Sequence, residues 1–160
     1  GGIKLYGVVS NATAASGGTP ATFSIQGVTL TLPASGVTLP ANGTYVEVIA
    51  RLVNGVMTVV NLGSGSDGAS GFEVYGTTPC TNGSSDLMVS AFTLTLGSGG
   101  TTSTATVDGR NAVIDLENGV NMAAATSGTA QCLVEVKGAV NSSGAIAATR
   151  IEVKSRTLTP

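Results

Sequence analysis

Apolar and hydroxyl-bearing residues alternate strictly along two stretches of this chain. Val-Thr-Leu-Thr-Leu occupies residues 28–32, and Phe-Thr-Leu-Thr-Leu occupies residues 92–96. Because successive side chains of a β-strand point to opposite faces, this pattern places the apolar side chains on one face and the threonines on the other. Both stretches are therefore predicted to be half-buried strands.

Six further stretches show similar alternation, and clusters of Gly, Asn, Ser or Pro, which favour turns, bound each of them. These predicted strands cover residues 3–9, 45–52, 56–62, 72–76, 133–140 and 146–153. Only residues 121–125 could form a helix, and it would have one or two turns. The pattern therefore predicts an all-β protein.

The predicted strands recur as two copies in the same order, and such internal repeats decide the architecture of a chain. The matches join residues 3–7 to 72–76, 25–32 to 89–96, and 46–48 to 134–136. The offset between matched positions rises from 64 to 88 between the second and the third match, a difference of 24 residues. The second copy is therefore predicted to carry an insertion at about residues 97–131.

Small residues separate the two copies. Residues 63–71 read Gly-Ser-Gly-Ser-Asp-Gly-Ala-Ser-Gly and offer no side chain able to fill a core, which is typical of a flexible linker. We therefore predict a first β module at residues 1–64, a linker at residues 65–70, and a second β module at residues 71–160.

The insertion carries two further signals. Asp108-Gly109 stands between two β-prone runs, which is a strong hairpin signal, so the insertion is predicted to contain a β-hairpin. Residues 115–121 cluster oxygen ligands of the kind that calcium takes, but they lack the full spacing of a calcium-binding loop. A solvated turn is the favoured interpretation of this segment, and calcium binding is the alternative.

The closing strands of the second copy carry a resemblance. Val-Glu-Val-Lys-Gly-Ala-Val at residues 134–140, Asn-Ser-Ser-Gly at 141–144 and Ala-Ala-Thr-Arg-Ile-Glu-Val at 147–153 resemble a family of bacterial exported β modules of unknown function. Members of that family often occur in tandem in lipoproteins and surface proteins. The resemblance implies two tandem small antiparallel β-barrels of OB-like fold, the second with the hairpin-containing insertion. The first copy departs from the pattern at residues 59–62, where Val-Val-Asn-Leu stands in place of Ala-Thr-Arg-Ile.

Charged side chains are scarce, at 10% of the chain against roughly 25% for an average soluble protein. The seven basic and nine acidic residues form no cluster that could neutralise a row of phosphates, so we expect no nucleic-acid partner. No apolar run approaches the roughly 20 residues that cross a bilayer, so we expect no membrane span.

Two cysteines, Cys80 and Cys132, lie 52 positions apart in a chain without histidine. This spacing argues against a zinc site and leaves a disulfide or two buried thiols. Charge-poor chains rich in Ser and Thr are typical of exported β proteins, so we favour the disulfide and a secreted or cell-surface location. The chain starts at Gly1 and is interpreted either as a mature processed form or as part of a longer chain.

The absence of histidine excludes Ser-His-Asp and Cys-His catalysis and imidazole ligation of metals. A pair of carboxylates could still hydrolyse glycosides, but the chain has no Trp to line a sugar cleft. The candidate carboxylates are Glu47, Asp67, Glu73, Asp86, Asp108, Asp115, Glu117, Glu135 and Glu152. We expect no enzymatic activity, no cofactor and no bound metal.

Two further sets of residues are candidates for surface chemistry. Tyr6 and Tyr75 occupy matched positions in the two copies, and packing over the following glycine is favoured over an exposed pair that binds sugar or peptide. Sequons for N-glycosylation, which are weak candidates here, begin at Asn11, Asn42, Asn82 and Asn141.

The chain has few charges with which to protect its strand edges. Uncharged strands at residues 28–32 and 56–60 are therefore either paired internally or used for assembly. We expect a non-catalytic extracellular structural protein, a subunit of a self-assembling cell-surface filament or layer whose copies contact one another through strand edges and termini. The alternative is a carbohydrate- or peptide-binding β module of a secreted or surface-anchored protein, with glycans or other surface proteins as partners.

Overall fold

The computed structural model describes residues 2–65, 71–98 and 101–160. It confirms the all-β prediction, with 60% strand and 3% helix. The chain divides into two compact units, one formed by Gly1–Phe72 with Gly97–Thr102 and the other by Glu73–Leu96 with Ser103–Pro160. The predicted linker lies almost entirely outside the described residues, so the predicted module boundaries stay a prediction.

The described residues form a strand at every predicted position, although the strand that begins at Val28 ends at Thr31, one residue before the predicted end. In chain order these strands are β1 (Ile3–Thr13), β2 (Thr22–Ile25), β3 (Val28–Thr31), β4 (Tyr45–Val53), β5 (Val56–Ser64), β6 (Gly71–Pro79), β7 (Phe92–Ser98), β8 (Thr101–Asp108), β9 (Val113–Leu116), β10 (Thr129–Val140) and β11 (Ile146–Thr159). A short 3₁₀ turn spans Gly83–Asp86. Residues 121–125, the only helical candidate in the sequence, form no helix.

Five strands close into a barrel in the first unit. β1 pairs antiparallel with β2 and β4, β2 pairs antiparallel with β3, and β4 pairs antiparallel with β5. The barrel closes where β3 meets β5 in parallel, at the single pair Thr31 and Thr58. Alternate positions of the strands fill the interior, and among them Leu5, Phe23 and Val48 are fully buried.

Two tight turns explain why neighbouring strands of this barrel reverse direction where they do. Gln26 and Gly27 join β2 to β3, and Asn54 and Gly55 join β4 to β5, all four with positive φ. Two consecutive residues with positive φ match the twist of a two-residue hairpin, and glycine adopts this conformation without steric cost.

In the second unit, β6 pairs antiparallel with β7, β7 neighbours β8, and β8 pairs in parallel with β11. β10 pairs antiparallel with β11 and also pairs with β6. β9 lies outside this circuit and pairs in parallel with β11. The interior includes Leu94, Val107, Val134 and Ile151, all of them fully buried.

The predicted hairpin at Asp108-Gly109 is wrong. The strands on its two sides, β8 and β9, do not pair with each other but lie one after the other along β11, both in parallel to it. The Asp108 carboxylate accepts a hydrogen bond from the backbone N–H of Arg110, and Gly109 donates its N–H to Val89 O. These bonds hold a turn after which the chain continues in its earlier direction.

Candidate functional site

The outer edge of β5 is the first candidate site. One edge of β5 pairs with β4 along its length, whereas the other edge meets β3 only at Thr58. Beyond that pair, within the described part of the chain, no strand pairs with the second edge at residues 60–64. Val60 is 47% exposed, and Asn61, Gly63 and Ser64 are also exposed. We call residues 60–64 the β5 edge.

The second unit holds a strand at the matching place. Glu47, which the sequence repeat aligns with Glu135, pairs with Gly63, and Glu135 pairs with Glu152. Both strand pairs also contain a β-bulge, which begins two residues after Glu47 on β4 and two residues after Glu135 on β10. The extra residue of the bulge is Val60 in β5 and Thr149 in β11. Residues 61–64 therefore correspond to residues 150–153, and those are the residues that β9 covers.

β9 itself leaves an edge without a partner strand. Its only strand pairing in the described ranges is the one with β11. Val113 is 55% exposed and Leu116 is 46% exposed, at the two ends of this four-residue strand. Asp115 forms an ion pair with Arg150 of β11, so the charge of its carboxylate is compensated. We call residues 113–116 the β9 edge.

A cavity of about 290 Å³ opens in the first unit, beyond the end of β3. Its lining consists of Ala14, Ala15, Pro20, Ala21, Leu32, Pro33, Ala34, Val37 and Leu39. No charged, aromatic or hydroxyl side chain is among these lining residues, so the chemistry of the cavity suits an apolar side chain better than a sugar.

A charged cluster lies in the second unit around Lys154. The Lys154 ammonium nitrogen lies 2.8 Å from Glu152 Oε1, 3.4 Å from Glu117 Oε1 and 3.5 Å from Glu135 Oε2. The hydrogen bond to Glu152, together with the charges of Glu152 and Glu117, raises the pKa of Lys154 above its ordinary value, against the opposing effect of burial. Lys154 is thus a cation that lies among three carboxylates of its own unit.

Glu135 is the buried member of this cluster, with only 5% of its surface exposed. Burial by itself raises the pKa of the Glu135 carboxyl, and hydrogen bonds with Tyr75 and Glu73 lower it, as do the charges of Lys137 and Lys154. The net effect is a pKa below the ordinary value. The same hydrogen bond to Glu135, with burial, raises the pKa of Tyr75.

The matched position in the first unit carries no such cluster. Glu47 is exposed and lies opposite Tyr6 in the pairing of β1 with β4. Lys4 occupies the position that corresponds to Glu73, and Gly63 the position that corresponds to Glu152. Tyr6 and Tyr75 are both half-buried. Tyr75 acts as a hydrogen-bond partner of a buried carboxylate, a role that the sequence did not indicate.

The structure contains the predicted disulfide between Cys80 and Cys132, whose Cα atoms lie 5.9 Å apart. Both cysteines are fully buried, and Met122 Sδ lies 3.9 Å from Cys132 Sγ. Arg156 fixes the surrounding backbone, because its guanidinium donates to four carbonyl oxygens at 2.6–3.2 Å. Those oxygens belong to Cys80, Thr81, Asn121 and Ala123.

The acidic segment proposed for calcium is engaged with cations of the chain itself. Asp115 pairs with Arg150, and Glu117 pairs with Lys154. Within residues 2–65, 71–98 and 101–160, no group of three or more Cys, Asp or Glu side chains is arranged to hold a metal ion. Asp67, one of the candidate carboxylates, lies outside the described residues.

The four sequons lie in different environments. Asn11 and Asn42 are on the surface, and Asn42 Oδ1 accepts a hydrogen bond from the N–H of Ala12. The side-chain nitrogen of Asn82 donates to Asp86 Oδ1, and Asn141 Oδ1 accepts three hydrogen bonds within its own turn. Glycosylation at all four stays a prediction.

Comparison with known proteins found no matching family model, no matching curated protein and no matching solved structure. The resemblance to exported bacterial β modules therefore stays a prediction. In the part of the chain that the structure describes, no helix has the length and apolar character needed to cross a membrane.

Proposed function

We propose that this protein is a non-catalytic structural subunit of the cell exterior, which assembles with further copies into a filament or layer. The observation that carries the proposal is the β5 edge, which no strand among the described residues covers. Exposed N–H and C=O groups on a strand edge can pair with another chain, and natural proteins usually protect such edges with charges, proline or a covering segment.

The composition of β5 supports the use of its edge for assembly. All nine residues of β5 lack charge, and the strand contains no proline. β3, which meets β5 at the barrel junction, also has no charged residue. Nothing in the sequence of either strand therefore opposes pairing with another chain.

We further propose that the two units are tandem OB-like modules. Support comes from the order in which strands pair. In the first unit the order is β1-β2-β3-β5-β4, and in the second it is β6-β7-β8-β11-β10. β3 is parallel to β5, as β8 is to β11. β4 pairs with β1, as β10 does with β6. A five-strand barrel of this size is the form of an OB-fold.

An extracellular location is supported by the buried disulfide, because disulfides persist in oxidising compartments. The proposal is tested by analytical ultracentrifugation of the purified chain over a wide concentration range, combined with electron microscopy. We expect association that grows with concentration and ends in filaments or sheets. A chain that stays monomeric at the highest concentration and forms no ordered assembly would overturn the proposal.

A second candidate function is peptide binding at the apolar cavity of the first unit. The cavity is open to solvent, and its nine lining residues are all apolar. An extended peptide with a Leu or Val side chain could fill it, with the flanking backbone solvated. Screening a peptide library against the wild-type chain and a Val37→Asp variant tests this function, since specific binders should lose affinity for the variant.

A further inference from the structure

We propose that the β9 edge of one copy pairs with the β5 edge of the next copy, so that the chain assembles head to tail. This inference rests on the proposed structural function and names the two surfaces that perform it. Both surfaces belong to the residues that the structure describes.

The second unit shows what the β5 edge can accept. There, residues 150–153 of β11 receive the four-residue strand β9 in parallel, and these residues correspond to residues 61–64 of β5. Among the described strands of the first unit, none takes the place that β9 has in the second. One chain thus contains the same acceptor twice, covered in the second unit and open in the first.

The β9 edge has the properties of a matching donor. It presents four residues, the same length as residues 61–64, and its Val113 and Leu116 side chains are about half exposed. The Asp115 carboxylate is neutralised by Arg150, so pairing brings no uncompensated charge to the uncharged β5 edge. Burying an unpaired charge at such a contact would be costly, and here the cost does not arise.

The β9 edge would remain on its own β11 during assembly. The ion pair of Asp115 with Arg150 binds β9 to its own unit, whereas the position that corresponds to Arg150 in the first unit is Asn61, which has no charge to offer. Exchange of β9 between copies would lose this ion pair. Pairing through the outer edge of β9 keeps it.

The two edges are different surfaces, one in each unit, so contact between them is heterologous. Each copy would present one donor edge and one acceptor edge. Heterologous contacts that do not close into a ring produce open chains of subunits. A filament is therefore the expected product, rather than a closed dimer.

The test uses two charge variants and their mixture. Val60→Lys places a charge on the β5 edge, and Leu116→Lys places one on the β9 edge. Each variant alone should associate about tenfold or more weakly than wild type, because a lysine on or beside a strand edge opposes pairing with another chain. An equimolar mixture of the two should form discrete dimers, since each variant retains one intact edge that fits the other.

Matched controls carry the same change at equally exposed apolar positions outside both edges. Val53→Lys lies at the β4–β5 hairpin of the first unit, and Leu158→Lys lies near the end of β11. Both should assemble as wild type does. Far-ultraviolet circular dichroism and thermal melting of every variant verify that the fold is retained.

The outcomes separate this inference from the proposed function. If wild type does not associate, the structural function itself is overturned. If wild type associates but Val60→Lys and Leu116→Lys associate equally well, the function stands and the edge assignment is wrong. If Val60→Lys loses association but Leu116→Lys associates as strongly as wild type, β5 edges pair with one another and the head-to-tail arrangement is wrong.

Discussion

The carboxylate of Glu135 lies 3.5 Å from the ammonium nitrogen of Lys154, and a β-bulge makes this contact possible. Leu133 pairs with Ser155 and Val134 pairs with Val153, so Lys154 is the extra residue between two regular pairs. Bulges of this kind redirect a side chain. Glu135 also lies directly across from Glu152, and Lys154 compensates two acidic side chains that would otherwise repel each other.

Replacing the buried carboxylate should destabilise the second unit. Glu135→Gln removes the charge that Lys137 and Lys154 face, and we expect the free energy of unfolding at pH 7 to fall by about 1–3 kcal/mol. Glu47→Gln is the matched control, because Glu47 occupies the same place in the sequence repeat but is exposed, and should change stability by less than about 0.5 kcal/mol. Urea unfolding of both variants checks the prediction, and equal effects would contradict it.

Wild type and Glu135→Gln should also differ in how their stability depends on pH. The pKa of Glu135 in the folded chain is lower than the ordinary value of 4.5, so its stabilising effect is fully present above pH 4.5. This effect is lost as the pH falls from 4.5 through the lower pKa of the folded state, where the carboxylate takes up its proton. The stability difference between the two proteins should be constant from about pH 7 to about pH 5 and shrink below pH 4.5. A difference that stays constant down to about pH 2.5 would contradict the assignment.

Arg156 should be important for both stability and redox protection. Arg156→Met removes a guanidinium that binds four carbonyl oxygens, and we expect a loss of about 2–3 kcal/mol. Arg110→Met is the control, because Arg110 pairs with the neighbouring Asp108 and its side chain is 61% exposed. Its loss should change the free energy of unfolding much less than the loss of Arg156 does, because water screens an exposed ion pair.

Reduction of the disulfide provides a second measurement for Arg156. Because Arg156 holds the backbone on both sides of Met122, its removal should let thiol reductants reach Cys132 more often. The rate of reduction by dithiothreitol should therefore rise in Arg156→Met and stay unchanged in Arg110→Met. Equal rates in the two variants would show that Arg156 does not protect the disulfide.

The hydrophobic pattern was sufficient to predict an all-β protein and most of its strands. Alternation is a local property, and strands such as β4 and β11 follow it over most of their length. β2 was missed because this strand covers only Thr22–Ile25, whereas the alternation at β3 continues to Leu32. The sequence repeat aligned residues 92–96, which belong to β7, with β3. In the pairing order, however, β7 occupies the place of β2.

The candidate sites depended on contacts that local sequence does not encode. Asp108-Gly109 has the composition of a hairpin turn. The direction of the chain after this turn is instead set by the parallel pairing of β9 with β11. The role of Lys154 required knowledge of a bulge, and that of Arg156 required knowledge of loops at residues 80–81 and 121–123. By contrast, the disulfide was predictable because only two cysteines exist.

The disulfide should contribute much of the stability of the second unit. Cys80 and Cys132 are separated by 52 residues, and closing a loop of that length restricts the unfolded chain by about 4 kcal/mol in the loop-entropy description. We expect the double variant Cys80→Ala/Cys132→Ala to lose about that much in urea unfolding. Wild type measured in reducing buffer serves as the comparison and should lose a similar amount. A loss below about 1 kcal/mol in both would show that native packing, rather than the cross-link, holds these segments.

Gly109 is a position where a single added methyl group should destabilise the fold. A Cβ at Gly109 would overlap the carbonyl oxygen of Leu87 and lie 3.3 Å from Phe92 Cε1, so Gly109→Ala should destabilise by about 1–3 kcal/mol. Gly63→Ala is the matched control, because Gly63 has no atom within 4 Å of the added Cβ and does not require positive φ. Its stability should stay within about 0.5 kcal/mol of wild type or rise slightly, since alanine restricts the unfolded chain. Urea unfolding of both variants at low protein concentration separates these effects from assembly. Equal losses in the two would show that the turn at Asp108-Gly109 is loose enough to move away from Leu87.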